Sequence, residues 1–176
     1  VFLVNNDLLD PADFPTSVMD FVSGKYAGEE LAIAYPMFGT TKTMAAALYA
    51  QWGEEAGREY FQKIVDLDVN VVDGNSVTKD MAASGQAAIG FTDSDDAREA
   101  IEDGANVTMV YPDQEEGDMG TLLTPATAAM IKNAPNEENA KKFIDYVLSE
   151  ETERKLVEDG FFDVSIRDTE KADGIK

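Results

Sequence analysis

Three short stretches carry side chains suited to gripping a charged ligand: "YPMFGTTKT" (Tyr35–Thr43), "DGNSVT" (Asp73–Thr78) and "FTDSDDA" (Phe91–Ala97). In the first, Gly39 lets the backbone approach a ligand closely, and Thr40 and Thr41 add hydroxyl donors. The segment reads as an oxyanion cradle or, more plainly, as a threonine cap after a loop glycine. In the second, Asn75 is a polar ligand contact or an ordinary turn-and-cap residue. The third crowds Asp93, Asp95 and Asp96 behind Thr92. Thr92 or Asp93 can cap a helix, and carboxylates in a first turn complement the helix dipole by ~0.3–1 kcal/mol each. Three acids exceed what capping requires, and crowded carboxylates repel unless a hard metal ion or an ammonium group sits among them. The spacing is not an EF-hand loop, because Ala97 occupies the third ligand position.

Elements that would bring these stretches together follow from the pattern of apolar residues. Val1–Val4, Leu31–Tyr35, Val69–Val72, Ala87–Phe91 and Val107–Val110 read as strands, and Thr127–Ile131 as one more. Between them, Met44, Leu48 and Trp52 recur every four residues, Tyr60, Phe61, Ile64 and Val65 share a face, and Val77 and Met81 mark a third helix. A further helix starts within the acidic stretch. Ala140, Phe143, Ile144, Val147 and Leu148 then repeat at helical spacing behind Asn136 as a cap, and a last short helix covers Glu150–Val157. The tail from Asp163 is polar and expected to be loose. Strands alternating with helices imply an α/β fold with a mostly parallel sheet flanked by helices. In such a sheet all three polar turns lie at the carboxyl edge, where open α/β sheets bind ligands, and each aims a helix N-terminus at it.

Composition narrows the function. At 176 residues the chain suits one ordinary domain or a lobe plus an appendage. It has no Cys and no His, so a His-based triad and His-ligated zinc are excluded. A net charge of -21 repels phosphate backbones and anionic membranes, which argues against nucleic-acid binding and membrane docking. No apolar run is long enough to span a bilayer, and no signal segment is present as written. The motifs GxSxG, Walker A, GxGxxG and HExxH are all lacking, so no enzyme signature appears. The acid-rich segments "DQEEGD" (Asp113–Asp118) and "SEETE" (Ser149–Glu153) read as solvated surface, and Trp52 with the helix aromatics as core.

The run "FGTTKTMAAAL", "VVDGNSV", "AAIGFTDSDDA", "VYPDQ" and "GTLLTPATAAMIKNAPNEENAKKFIDYVLSEE" resembles the ferric-iron-type solute-binding proteins of ABC transporters, from Asn5 to about Phe161. That resemblance implies one lobe of a type II periplasmic-binding clamshell. Residues 1–122 would form the ligand-binding second lobe, opening on the hinge strand "VFLVNND", and residues 123–176 a returning strand, C-terminal helices and the tail. A first lobe is expected before Val1. By position, Gly39, Thr40, Thr41 and Asn75 fall where the family holds an anion, and Thr92 and Asp93 lie in the same cleft loop. The family's iron-binding tyrosine pair falls on Asp95 and Asp96. Carboxylates there suit a hard metal or an amine, so the implied ligand is ferric ion with a synergistic anion, or an anionic or zwitterionic solute such as a phosphonate. No cofactor is required, the partner is an ABC permease, and the location is periplasmic or extracellular, with a lipid anchor compatible. The competing expectation is a metal-dependent enzyme domain using Asp93, Asp95 and Asp96 for phosphoryl chemistry.

Overall fold

The computed structural model describes residues 1–167, which pack as two units, Val1–Leu122 and the segment from Leu123 onward. In the first unit, strands β1 (Phe2–Asn5), β2 (Leu31–Ala34), β3 (Asn70–Val72), β4 (Ile89–Phe91) and β5 (Val107–Val110) form one sheet in the order β3-β2-β4-β1-β5. β2 runs parallel to both β3 and β4, with Ile33 opposite Val71 on one side and Phe91 on the other. β1 is antiparallel to β4 and β5, so four strands point one way and the first points back. The sheet is therefore mixed: the β2 ladders are parallel, as the alternating sequence implies, and the two that β1 makes are antiparallel.

Helices α1 (Gly39–Trp52), α2 (Glu54–Asp66), α3 (Asn75–Ala83) and α4 (Ser94–Glu102) connect the strands. The strands read as unbroken apolar runs because both faces of the sheet are covered. On one face Phe2, Val4, Ile33, Ile89 and Phe91 meet Leu48, Tyr60 and Ile64 from α1 and α2, along with Phe21 from a short helical turn. On the other, Leu3 and Val107 meet Ala82 from α3 and Ala97 and Ala100 from α4. β1 therefore feeds both cores through alternate residues, as the period of a strand requires. Small residues let α3 sit close: a Cβ on Gly90 of β4 would lie 3.0 Å from the Thr78 carbonyl oxygen. Trp52 is half-buried against Tyr60, in keeping with the core reading, but Val65 projects into solvent rather than joining the face of Tyr60 and Ile64.

Among the described residues of the second unit, α5 (Glu137–Val147) and α6 (Glu150–Glu158) are the elements formed. Thr127–Ile131 is not a strand: it joins no ladder, and Ile131 is largely exposed. Asn136 stands at the N-cap position of α5 without a side-chain cap, whereas Ser149 caps α6 by accepting from the Thr152 amide.

Two acids expected on the surface are buried instead. Asp113 accepts from the Val18 amide at 3.1 Å and, at φ 58, pins the loop after β5. Glu153 accepts from the Ser165 hydroxyl and the Ile166 amide, both at 2.7 Å, and also pairs with Arg167. The tail is thus tied down through Arg167; its remainder lies outside the described residues. Among the described residues no helix is long and apolar enough to cross a membrane.

Candidate functional site

Because β2, β3 and β4 are parallel, the turns that leave them emerge at one edge. Each turn opens directly into a helix: α1 after β2, α3 after β3 and α4 after β4. The three segments singled out in the sequence meet there. Thr40 Oγ1 donates to Asp93 Oδ2 at 2.8 Å, and Asn75 Nδ2 donates to the same oxygen at 2.5 Å. Asn75 Nδ2 also reaches Thr40 Oγ1 at 2.6 Å, and its Oδ1 accepts from Thr41 Oγ1 at 3.1 Å. Thr92 Oγ1 donates to the Asn75 carbonyl at 3.3 Å, which ties the third turn to the second. Gly39, at φ 64, makes the bend that starts α1. Every sequence-derived candidate therefore sits at this edge.

The capping explanation fails for Asp93. Asp93 stands at the N-cap position of α4, yet its side chain caps nothing; it accepts from Thr40 and Asn75 across the site. The N-termini of α1 and α3 likewise lack a side-chain cap, their N-cap positions being Phe38 and Gly74. An aromatic N-cap forgoes the ~1 kcal/mol that Ser or Asp supplies there, and leaves the first amides of α1 open. Phe38 is 66% and Tyr35 53% exposed. Both line a depression of about 280 Å³ together with Thr40, Asp73, Asn75 and Asp93. The sequence pattern did not single out these two aromatics; an aromatic immediately before "GTT", where a small polar cap is preferred, is the signal that would have found them. A larger hollow of about 350 Å³ beside Trp52 and Lys63 holds none of the candidate residues.

Charge is concentrated at the mouth of α4. One carboxylate oxygen each from Asp93, Asp95 and Asp96 lies within 4.8 Å of the others. Burial works to raise the Asp93 pKa, but hydrogen bonds from Asp96, Thr40 and Asn75 outweigh it and hold the carboxyl below its ordinary value. Burial and then the neighbouring Asp93 push Asp95 up, and the same two influences push Asp96 up to about 6. Asp93 Oδ1 is buried with no hydrogen-bond partner once Asp96 has lost its proton. Ser76, which hydrogen-bonds to Asp96, belongs to the same cluster and was not anticipated.

A stability signature follows from these shifts. The folded chain holds protons on Asp95 and Asp96 that the unfolded chain, near 3.8, has already released. Their contribution is fully present below that value and is lost as pH rises through their raised values, which for Asp96 is about 6. Asp93 acts oppositely, but only where pH falls below the ordinary carboxylate range. The melting temperature is expected to fall between pH 5 and pH 7, and Asp96→Asn is expected to flatten that fall and raise the midpoint at pH 7. Thermal melts across that range in low salt, comparing the two proteins, check it; parallel curves would refute it.

A family model described as "Bacterial extracellular solute-binding protein" matches residues 1–175. Among curated relatives, the "Putative 2-aminoethylphosphonate-binding periplasmic protein" of Salmonella typhimurium is 27% identical over 164 residues, covering 89% of this chain and 46% of that protein. Among solved structures, iron-bound HitA from Pseudomonas aeruginosa superposes with a TM-score of 0.81 at 18% identity, covering all of this chain and 56% of that one, a likeness of fold. AfuA from Actinobacillus pleuropneumoniae, solved with fructose-6-phosphate bound, gives a TM-score of 0.69 at 27% identity over 89% of this chain and 49% of that one. The chain spans about half the length of the curated relatives it matches. The family and these relatives are binding proteins, in agreement with the resemblance read from the sequence. The chain belongs to the bacterial extracellular solute-binding proteins.

Proposed function

We propose that this chain forms the ligand-holding part of a periplasmic or extracellular solute-binding protein that serves an ABC permease, without catalysis, and that its solute is a small zwitterion of the aminoalkylphosphonate kind. The observation that carries this reading is the state of Asp93. Thr40 and Asn75 fix one of its oxygens, and the other is buried without a partner between two more carboxylates. Three carboxylates so close together suit a cation, and an ammonium group supplies both the charge and the donors. The acidic end of the same solute would then meet the uncapped N-termini of α1 and α3, whose amides and dipoles favour an anion. Tyr35 and Phe38 offer apolar faces to an organic ligand and a cation–π contact to its ammonium. The 2-aminoethylphosphonate for which the Salmonella relative is named supports this class of solute.

A second reading, ferric ion with a synergistic anion, is favoured by the proximity of the three carboxylates and by the fold shared with iron-bound HitA. An enzymatic use of the same acids for phosphoryl chemistry has no nucleophile or motif behind it. Calorimetry on the full-length protein separates these. 2-Aminoethylphosphonate is expected to bind in the micromolar range or tighter, and Asp95→Ala to weaken it by more than about tenfold, the value of one charge-assisted hydrogen bond. Binding of ferric citrate with none of the aminophosphonate would replace the first reading by the second.

A further inference from the structure

Resting on the zwitterion reading, we propose that Asp93 is the charge discriminator of the site, admitting an acidic solute only when the solute brings its own cation. The side-chain donors that sequence reasoning assigned to an incoming anion are turned inward. Thr40 and Asn75 both donate to Asp93 Oδ2, Asn75 also donates to Thr40, and Thr41 donates to Asn75. An oxyanion entering the depression therefore meets a carboxylate where it would need hydrogen atoms. No lysine or arginine is among the described residues that line the depression to offset that charge. Phosphate, sulfate or a plain alkylphosphonate is repelled, because like charges brought close together disfavour binding.

A solute with an ammonium group reverses the balance. Its cation pairs with the Asp93 carboxylate that lines the depression and neutralises the charge that would otherwise bar its own acidic end. Selectivity for the cation then comes from an obstacle placed against the plain anion as much as from attraction to the amine. A single neutral replacement should remove the obstacle. Asp93→Asn keeps the size of the side chain and an acceptor oxygen for Thr40 and Asn75. It also replaces the unpartnered oxygen with an amide that donates.

Calorimetry above pH 7 on the full-length wild type and Asp93→Asn, with 2-aminoethylphosphonate and ethylphosphonate as probes, tests this. The wild type is expected to prefer the amino compound by about a hundredfold or more. In Asp93→Asn, ethylphosphonate should bind at least about tenfold more tightly than to wild type, and the amino compound at least about tenfold more weakly. Thr40→Val loosens Asp93 without removing its charge, and is expected to leave ethylphosphonate excluded. If the wild type binds the amino compound and Asp93→Asn keeps the wild-type preference, the discriminator role is overturned while the zwitterion reading survives. If Thr40→Val alone admits ethylphosphonate, donor geometry rather than charge is the bar, and the role is again overturned. A wild type that binds neither probe overturns the reading of the site and the discriminator with it. Should Asp93→Asn fail to fold by near-ultraviolet dichroism, Asp93→Ser carries the same expectations.

Discussion

Gly28→Ala is expected to destabilise the sheet-bearing unit by more than about 3 kcal/mol, a large fraction of the stability of an ordinary domain. Gly28 opens the short helical turn Gly28–Glu30 that leads into β2, and a Cβ built there lies 1.7 Å from the Leu67 carbonyl oxygen and 2.7 Å from its carbon. Neither side can give way cheaply. The turn is held by the Ala27 amide donating to Glu30 Oε2 at 2.7 Å and by the Ala88 amide donating to the Glu30 carbonyl at 2.8 Å. Opposite it, Leu67 ends α2, Asp68 takes φ 58, and Asn70 Nδ2 donates to the carbonyls of Glu29 and Leu31. A methyl group must push apart two backbone segments that are both anchored to β2. Gly74→Ala is the control: its φ is -175 and nothing lies within 4 Å of its Cβ. That change should stay within about 1 kcal/mol, the worth of an N-cap preference. Urea denaturation followed by tryptophan fluorescence and far-ultraviolet dichroism measures both. Equal midpoints for Gly28→Ala and wild type would show that the α2 corner is far more pliable than its hydrogen bonds imply.

What the sequence made legible was whatever depends on local pattern. The strand β5 emerges with the bounds read from "VTMV", and the meeting of Thr41, Asn75 and Asp93 follows once β2, β3 and β4 are taken as parallel. Features set by distant partners were not legible. Thr127–Ile131 has strand-like composition but pairs with nothing, and composition cannot supply a ladder. Asp113 and Glu153 sit in acid-rich runs that look solvated, yet each accepts a main-chain hydrogen bond from a residue far along the chain. The role of Asp93 was hidden for the same reason. Its position at the start of α4 suggests a cap, and only the register of β4 beside β2 delivers it to Thr40.

Asn75→Ala is expected to weaken binding of 2-aminoethylphosphonate by about a hundredfold or more, with much less effect on folding. Asn75 is the one side chain bonded to all the other parts of the network: it accepts from Thr41 and donates to Thr40 and to Asp93. Removing it takes away one of the two donors that orient the Asp93 carboxylate and leaves Thr41 without its acceptor. A carboxylate freed to rotate loses the fixed aim at the ammonium group, and a preorganised charge is worth more than a mobile one in a partly buried site. The fold should persist, because Asn75 lies half-buried at the start of α3, whose anchorage comes from Thr78 and Ala82 packed against Gly90. Asn75→Asp sharpens the case: a fourth carboxyl would then stand 2.5 Å from Asp93 Oδ2, in the place of a donor. Like charges that close raise one pKa of the pair, and the proton retained at lower pH stands in for the lost donor, so this variant should bind the zwitterion more tightly at acidic than at alkaline pH. Calorimetry at pH 5.5 and pH 8 on both variants reads the outcome. Affinity in Asn75→Ala within about threefold of wild type would mean that Thr40 alone suffices to aim Asp93, and that the bridge between the second and third turns serves the fold rather than the ligand.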